Sequence, residues 1–330
     1  MNAGTIGPFR VIEPLGHGSM GEITLVEDTR TGAHRVLKVA SEEWLRLPGA
    51  RRRLFQEARA AMNIRHPRVA AVHEVVEIGD RPILVLDYVE GEALDARLAR
   101  EPITIERALV VAIDVAEAVA AAHAEGVVHH DLKPSRVRLG SDGRAVVLGF
   151  GVARVRPAAS AQVLRSVATG VADVPRFTGT PGYAAPEQLT GRSTDRRSDL
   201  YSIGAMLFEM LAGRRPFEDA EAAGVALATL TEPVPPVRRF NPSVPAVLDA
   251  IVTRALAKNP GDRFQSATEL ADELKQALRA LGARPAVSLD EQWAVANPTA
   301  AGPATLASRR VVIGIAVIVA LAAIVALVWF

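Results

Sequence analysis

Along roughly the first ninety positions, hydrophobic and polar residues alternate in runs short enough for strands. Phe9 to Asp28 reads as two strands joined by Gly16-His17-Gly18-Ser19-Met20-Gly21. Ile83 to Val89 is an apolar run of strand length that enters a polar turn before Gly91. A helical stretch carrying Glu57 lies between them, at Arg53 to Arg59. From Ile105 to Glu125 the apolar spacing becomes helical, with Thr104 placed to cap the start and Gly126 to close the end. That pattern predicts a core helix without chemistry of its own. Ser141-Asp142-Gly143 supplies a hairpin turn. After about Leu281 the composition shifts to Ala, Pro, Ser and Gly, as in a flexible linker. Val311 to Phe330 then contains no charged residue, and as a helix it would span about 30 Å, the hydrocarbon thickness of a bilayer.

Arg309 and Arg310 precede that run, so the positive-inside rule puts the N-terminal bulk in the cytoplasm. The expectation is a tail-anchored, single-pass protein of the cell membrane. Met1 to Arg10 lacks the apolar core of a secretory signal. The balance of 38 basic against 37 acidic residues gives a net charge of +1, which argues against a nucleic-acid partner. With no cysteine in the chain, disulfides and thiolate metal sites are excluded.

The chemistry is concentrated in His129-His130-Asp131-Leu132-Lys133-Pro134-Ser135-Arg136 and, one hairpin later, Leu148-Gly149-Phe150-Gly151. These stretches resemble H-R-D-L-x-x-x-N and D-F-G of the protein kinases. The glycine-rich turn followed by Ile23 resembles G-x-G-x-x-G-x-V, and Arg35-Val36-Leu37-Lys38 resembles V-A-I-K. Ala185-Pro186-Glu187 resembles A-P-E. Asp199 and Arg263 fall where the family braces its catalytic loop and pairs that glutamate. The wording of these motifs is closest to the bacterial eukaryotic-like (Hanks-type) Ser/Thr kinases.

The resemblance implies an α+β, two-lobed fold. The expected organisation is a tail at 1–8, a kinase-like domain at 9–280, a juxtamembrane linker at 281–310 and a transmembrane helix at 311–330. Within the domain, a strand-rich N-lobe would occupy 9–90 and a helical C-lobe 91–280. By resemblance Asp131 is the base, Lys133 holds the transferred phosphate, and Lys38 pairs with Glu57 and the nucleotide phosphates. Leu15, Gly16, Gly18, Gly21, Ile23, Val36, Asp87, Val89 and Arg136 would border a bound ATP.

Departures from the family pattern fall on the metal ligands. Arg136 stands in place of the Asn and Gly149 in place of the Asp that hold Mg²⁺, and a guanidinium offers only donors. Arg138 falls at the floor of the adenine pocket, and Val36 replaces a small residue at its roof. No Asp or Glu lies between Arg144 and Ala172 to substitute. His130 replaces the family's phosphate-binding Arg, and Thr180 stands where the threonine of a Ser/Thr kinase contacts the base. Ser160, Ser166, Thr169 and Thr178 read as ordinary loop polarity, with phosphorylation by another kinase as the alternative. The function expected is that of a membrane-tethered pseudokinase, a scaffold or allosteric partner of another protein, with ATP binding in doubt and the Mg²⁺ site absent or impaired. The alternative is a weak Ser/Thr kinase using Asp131 as base.

Overall fold

The computed structural model describes residues 4–18, 20–151, 181–219 and 221–282. The expected linker beyond its first two residues, the expected transmembrane helix, Thr180 and the loop residues Ser160, Ser166, Thr169 and Thr178 lie outside the described residues. Among those described, no helix is long and apolar enough to cross a membrane.

The chain begins with strands β1 (Thr5–Ile6), β2 (Phe9–His17), β3 (Gly21–Asp28) and β4 (Ala33–Ala40). Helices α1 (Glu42–Leu45) and α2 (Ala50–Ala61) lead into β5 (Val72–Ile78) and β6 (Arg81–Asp87). The six strands form one sheet in the order β1-β2-β3-β4-β6-β5, with every neighbouring pair antiparallel. Thr5–Ile6 pairs with Arg10 and Phe9, so part of the stretch read as a tail belongs to the sheet. Period-2 alternation sorts the strand residues by face. Phe9, Val26, Leu37, Ile83 and Val85 bury one face, while Leu84 and Leu86 join the main core on the other.

Past β6, β7 (Glu92–Ala93) pairs with β8 (Val137–Leu139), which pairs with β9 (Ala145–Val147). Residues up to Gly140 and from Arg144 form one compact unit, and Ser141–Gly143 turns between β8 and β9. The helices are α3 (Leu94–Arg100), α4 (Ile105–Ala124), α5 (Pro186–Leu189), α6 (Arg197–Ala212), α7 (Ala222–Thr231), α8 (Ala246–Ala255) and α9 (Ala267–Ala280). The result is a strand-rich lobe and a helical lobe, as the resemblance implied.

Helix α4 begins where the sequence placed it, with the Thr104 hydroxyl accepting from Arg107 N–H at 3.2 Å. It is a core helix that also carries a buried structural ion-pair network. Asp114, buried in its apolar face, accepts from both Nε and Nη2 of Arg144 and from the Ala145 amide, and pairs with Arg68 at 3.4 Å. A buried carboxylate needs such partners, because desolvating it unpaired costs several kcal/mol. The signal was the lone Asp114 within Val110-Val111-Ala112-Ile113-Asp114-Val115.

Candidate active site

Strand register lines up the residues expected around a nucleotide. Gly16 pairs with Ile23, Ile23 with Lys38 and Lys38 with Leu84, so Ile23, Lys38 and Leu84 share a rung. Val36, two positions along β4, lies between Leu25 and Leu86 and packs on the main core from the same face as Lys38. Leu15 is exposed near the end of β2. Gly18 N–H donates to Gly21 carbonyl at 2.7 Å, closing the glycine turn on itself.

Lys38 is partly buried, and desolvation together with the positive charge of Arg136 pushes it down to about 8, against the opposing pull of Asp131. No hydrogen bond or ion pair engages it among the described residues. The expected pair with Glu57 is therefore not formed. Glu57 sits on α2, partly buried, while the carboxylate whose charge acts on Lys38 belongs to Asp131 on the catalytic loop.

Asp131 is gripped from two sides. Arg136 donates from Nη2 at 2.9 Å and from Nε at 3.3 Å to one carboxylate oxygen, Oδ2. Lys133 approaches the other oxygen to 3.4 Å. Burial raises the carboxyl's pKa, but the charges of Arg136 and Lys133 outweigh it and hold the group below the ordinary carboxylate range. A weaker base is a poorer acceptor of a substrate hydroxyl proton.

Gly149 has φ of 99°, and a Cβ there would lie 3.7 Å from Arg136 Cδ and 3.6 Å from His129 Nε2. The Arg136 stem therefore runs beside the place where the family carries its metal-binding carboxylate. Arg138 does not fill the adenine floor with its charge, since its Nη1 donates to Gly91 carbonyl at 3.1 Å. Asp87 is committed to structure: it accepts from the Ala71 amide and pairs with His73 at 2.6 Å and Arg35 at 3.4 Å. Val89 follows it in the connecting segment, partly buried.

The scaffold beneath the loop is complete. Asp199, fully buried on α6, accepts from the amides of His129 and His130 and bonds His123 Nε2 at 2.8 Å. His129 bonds Leu148 carbonyl through Nε2 and accepts the Asp131 amide at Nδ1, which fixes the neutral Nε2–H tautomer. Burial lowers its pKa in agreement. Its ring meets Phe150 edge-on at 4.7 Å. Gln188 ties this loop to α5, accepting from the Ala185 amide and donating to His130 carbonyl at 2.8 Å. Neither His123 nor Gln188 was singled out by the sequence, because both serve through backbone and carboxylate contacts outside the motifs.

Asp199 is buried, which opposes ionisation, yet the His123 hydrogen bond and the His129 amide hold its pKa low. A depressed folded value stabilises the protein above the unfolded pKa near 4 and loses that stability as pH falls through the folded value. Asp199→Asn should cost about 1–3 kcal/mol at pH 7, since hydrogen bonds to a charged group weaken. Urea midpoints taken from pH 7 down to about 2 should fall less steeply for the variant than for the parent. Parallel curves would remove Asp199 from the acid response.

A model of the protein kinase domain matches residues 9–275. The chain belongs to the protein kinase family. This kinase domain is 37% identical over 287 residues to the Serine/threonine-protein kinase pkn2 of Myxococcus xanthus, covering 84% of the chain and 33% of that protein. It is 35% identical over 272 residues to PknB of Mycobacterium tuberculosis, covering 81% of the chain and 42% of that protein. Among solved structures, the PknI kinase domain of Mycobacterium tuberculosis matches with TM-score 0.65 and 27% identity, over 84% of this chain and 98% of that one. The bacterial Hanks-type kinship expected from the motifs is thus shown. The chain spans well under half the length of these curated relatives.

Proposed function

We propose that this Ser/Thr kinase-family chain acts as a membrane-tethered pseudokinase, offering a kinase-shaped surface to a protein partner instead of transferring phosphate. The observation carrying it is the 2.9 Å bond from Arg136 to the carboxylate of Asp131 beside a glycine at position 149. Phosphoryl transfer depends on cations that bridge the β and γ phosphates, held in this family by an Asn and an Asp. Mg²⁺ takes oxygen ligands in near-octahedral array. Here one ligand position carries a guanidinium, the other carries no side chain, and Asp131 already faces two cations. That donor set does not suit Mg²⁺, so no catalytic step is routed through it.

Tethering rests on the uncharged run 311–330 behind Arg309 and Arg310, with the kinase domain on the cytoplasmic side. A partner that is itself a protein fits a fold whose braces are intact around an impaired centre. The competing reading, a weak Ser/Thr kinase with Asp131 as base, is supported by the activity that the relatives' names record.

The deciding test is incorporation of labelled phosphate from ATP with Mg²⁺ or Mn²⁺, beside an Asp131→Asn variant purified identically. The expected result is no incorporation above the variant. Incorporation that disappears with Asp131→Asn would establish the weak kinase.

A further inference from the structure

Two cationic side chains grip one carboxylate in the cleft, and the charge of a third reaches it. Lys133 and Arg136 both touch Asp131, and the charge of Lys38 responds to Arg136 and Asp131 together. Gly149 adds no compensating charge. Arg136 commits Nε and Nη2 to Asp131 Oδ2, and its Nη1 donates to no protein atom among the described residues. Lys38, drawn partly into the interior, likewise lacks a partner there. An ammonium ordinarily leaves solvent only when an anion compensates for the lost hydration. The open backbone at Gly16 stands on the same line of paired residues as Ile23 and Lys38, with nothing within 4 Å of where a Cβ would lie.

We infer that this cleft binds a di- or triphosphate group in the absence of any divalent cation, with Lys38, Lys133 and the free edge of Arg136 as its ligands. The inference rests on the reading that Arg136 and Gly149 remove the metal site. Its physics is charge matching. A metal-free diphosphate or triphosphate carries several negative charges, and the planar guanidinium edge and two ammonium groups supply charge-assisted donors for its oxygens. A bound Mg²⁺ would neutralise part of that charge and bring a hydrated cation beside Arg136, where both oxygens of Asp131 already face protein cations. Divalent cations therefore oppose binding here, where in an ordinary kinase they promote it. The Arg138 charge, drawn to Gly91 carbonyl, is no obstacle to a nucleoside attached to the phosphates.

The test is calorimetric titration of the full chain in detergent, in EDTA and again in excess Mg²⁺, with ATP, ADP, AMP and inorganic triphosphate. ATP, ADP and triphosphate should bind in EDTA and AMP at least tenfold more weakly. Excess Mg²⁺ should weaken ATP binding at least tenfold, as should Arg136→Asn or Lys133→Ala in EDTA, each variant first checked for an unchanged melting profile. Triphosphate binding as tightly as ATP would assign recognition to the phosphates, and a marked preference for ATP would add the nucleoside. No binding in EDTA, tighter binding with Mg²⁺, or AMP matching ADP would each overturn the proposal. Phosphate transfer in the Mg²⁺ samples would instead overturn the pseudokinase reading and leave the EDTA result standing.

Discussion

Joint replacement Arg136→Asn and Gly149→Asp should raise Mg²⁺-dependent phosphoryl transfer by about 10²-fold or more over the parent chain. The size follows from the general cost of losing one preorganised electrostatic contact in an enzyme, about 3–4 kcal/mol or 10²–10³ in rate. Both changes are needed. With Gly149→Asp alone, the new Cβ would lie 3.7 Å from the Arg136 stem, and the carboxylate it carries should pair with that guanidinium instead of a metal. Arg136→Asn alone releases Asp131 from its closest ion pair but supplies only one of two ligands. Space is not the obstacle at position 149, because the nearest contacts of a Cβ there are at ordinary van der Waals range. Its φ of 99° is, and a side chain there costs on the order of 1–3 kcal/mol. Labelled-ATP assays against a Mg²⁺ series read the gain. A folded double variant that binds Mg²⁺-ATP and transfers no more phosphate than the parent would refute the account that the two missing ligands limit transfer.

Arg263→Ala should give a large loss of stability, about 3–5 kcal/mol, because it strands a buried charge. Arg263 is 1% exposed and Glu187 is 7% exposed, and the two meet through parallel bonds of 2.8 Å from Nη1 and Nη2. The Ser198 hydroxyl donates to the same carboxylate at 2.7 Å, and Arg263 also donates to the carbonyls of Ala257, Arg197 and Lys258. Burial raises the Glu187 pKa, yet the Arg263 hydrogen bond and charge outweigh that and keep it low. The pair's contribution is therefore complete above the ordinary glutamate pKa and fades as pH falls through the depressed one. Against a total of roughly 5–15 kcal/mol, the substitution removes a large fraction of what holds a domain folded. Arg263→Lys should recover little, since an ammonium cannot reproduce the two-pronged fork. Glu187→Leu combined with Arg263→Met should be far milder than Arg263→Ala alone, because no charge is then left unpaired. Urea unfolding checks the series, and an Arg263→Ala midpoint matching the parent would refute the buried-pair account.

The parts of this molecule legible in its sequence were those in which one residue type is chemically indispensable. Asp199 bracing two amides, Glu187 with Arg263, and the Thr104 cap all depend on a particular functional group at a particular place, and sequence carries that directly. Where a long side chain turns is different. That Arg136 closes on Asp131, that Arg138 reaches Gly91, and that Lys38 and Glu57 remain apart depend on rotamers and on how α2 sits against the sheet. Several arrangements satisfy the same spacing. The buried network of Asp114 with Arg144 and Arg68 was missed for a related reason, since its members lie far apart in sequence and only packing brings them together.

Gly151 presses so closely on α2 that a Cβ would lie 2.7 Å from Ala61 Cβ and 3.3 Å from Glu57 carbonyl. At φ of 85°, with that helix across from it, the position leaves no clearance for sliding. The helix of the strand-rich lobe is thus geared to the segment after β9, and neither can swing without dragging the other. A joint of this kind suits the proposed role, because a partner that meets a single rigid shape does not have to freeze out alternatives before it docks.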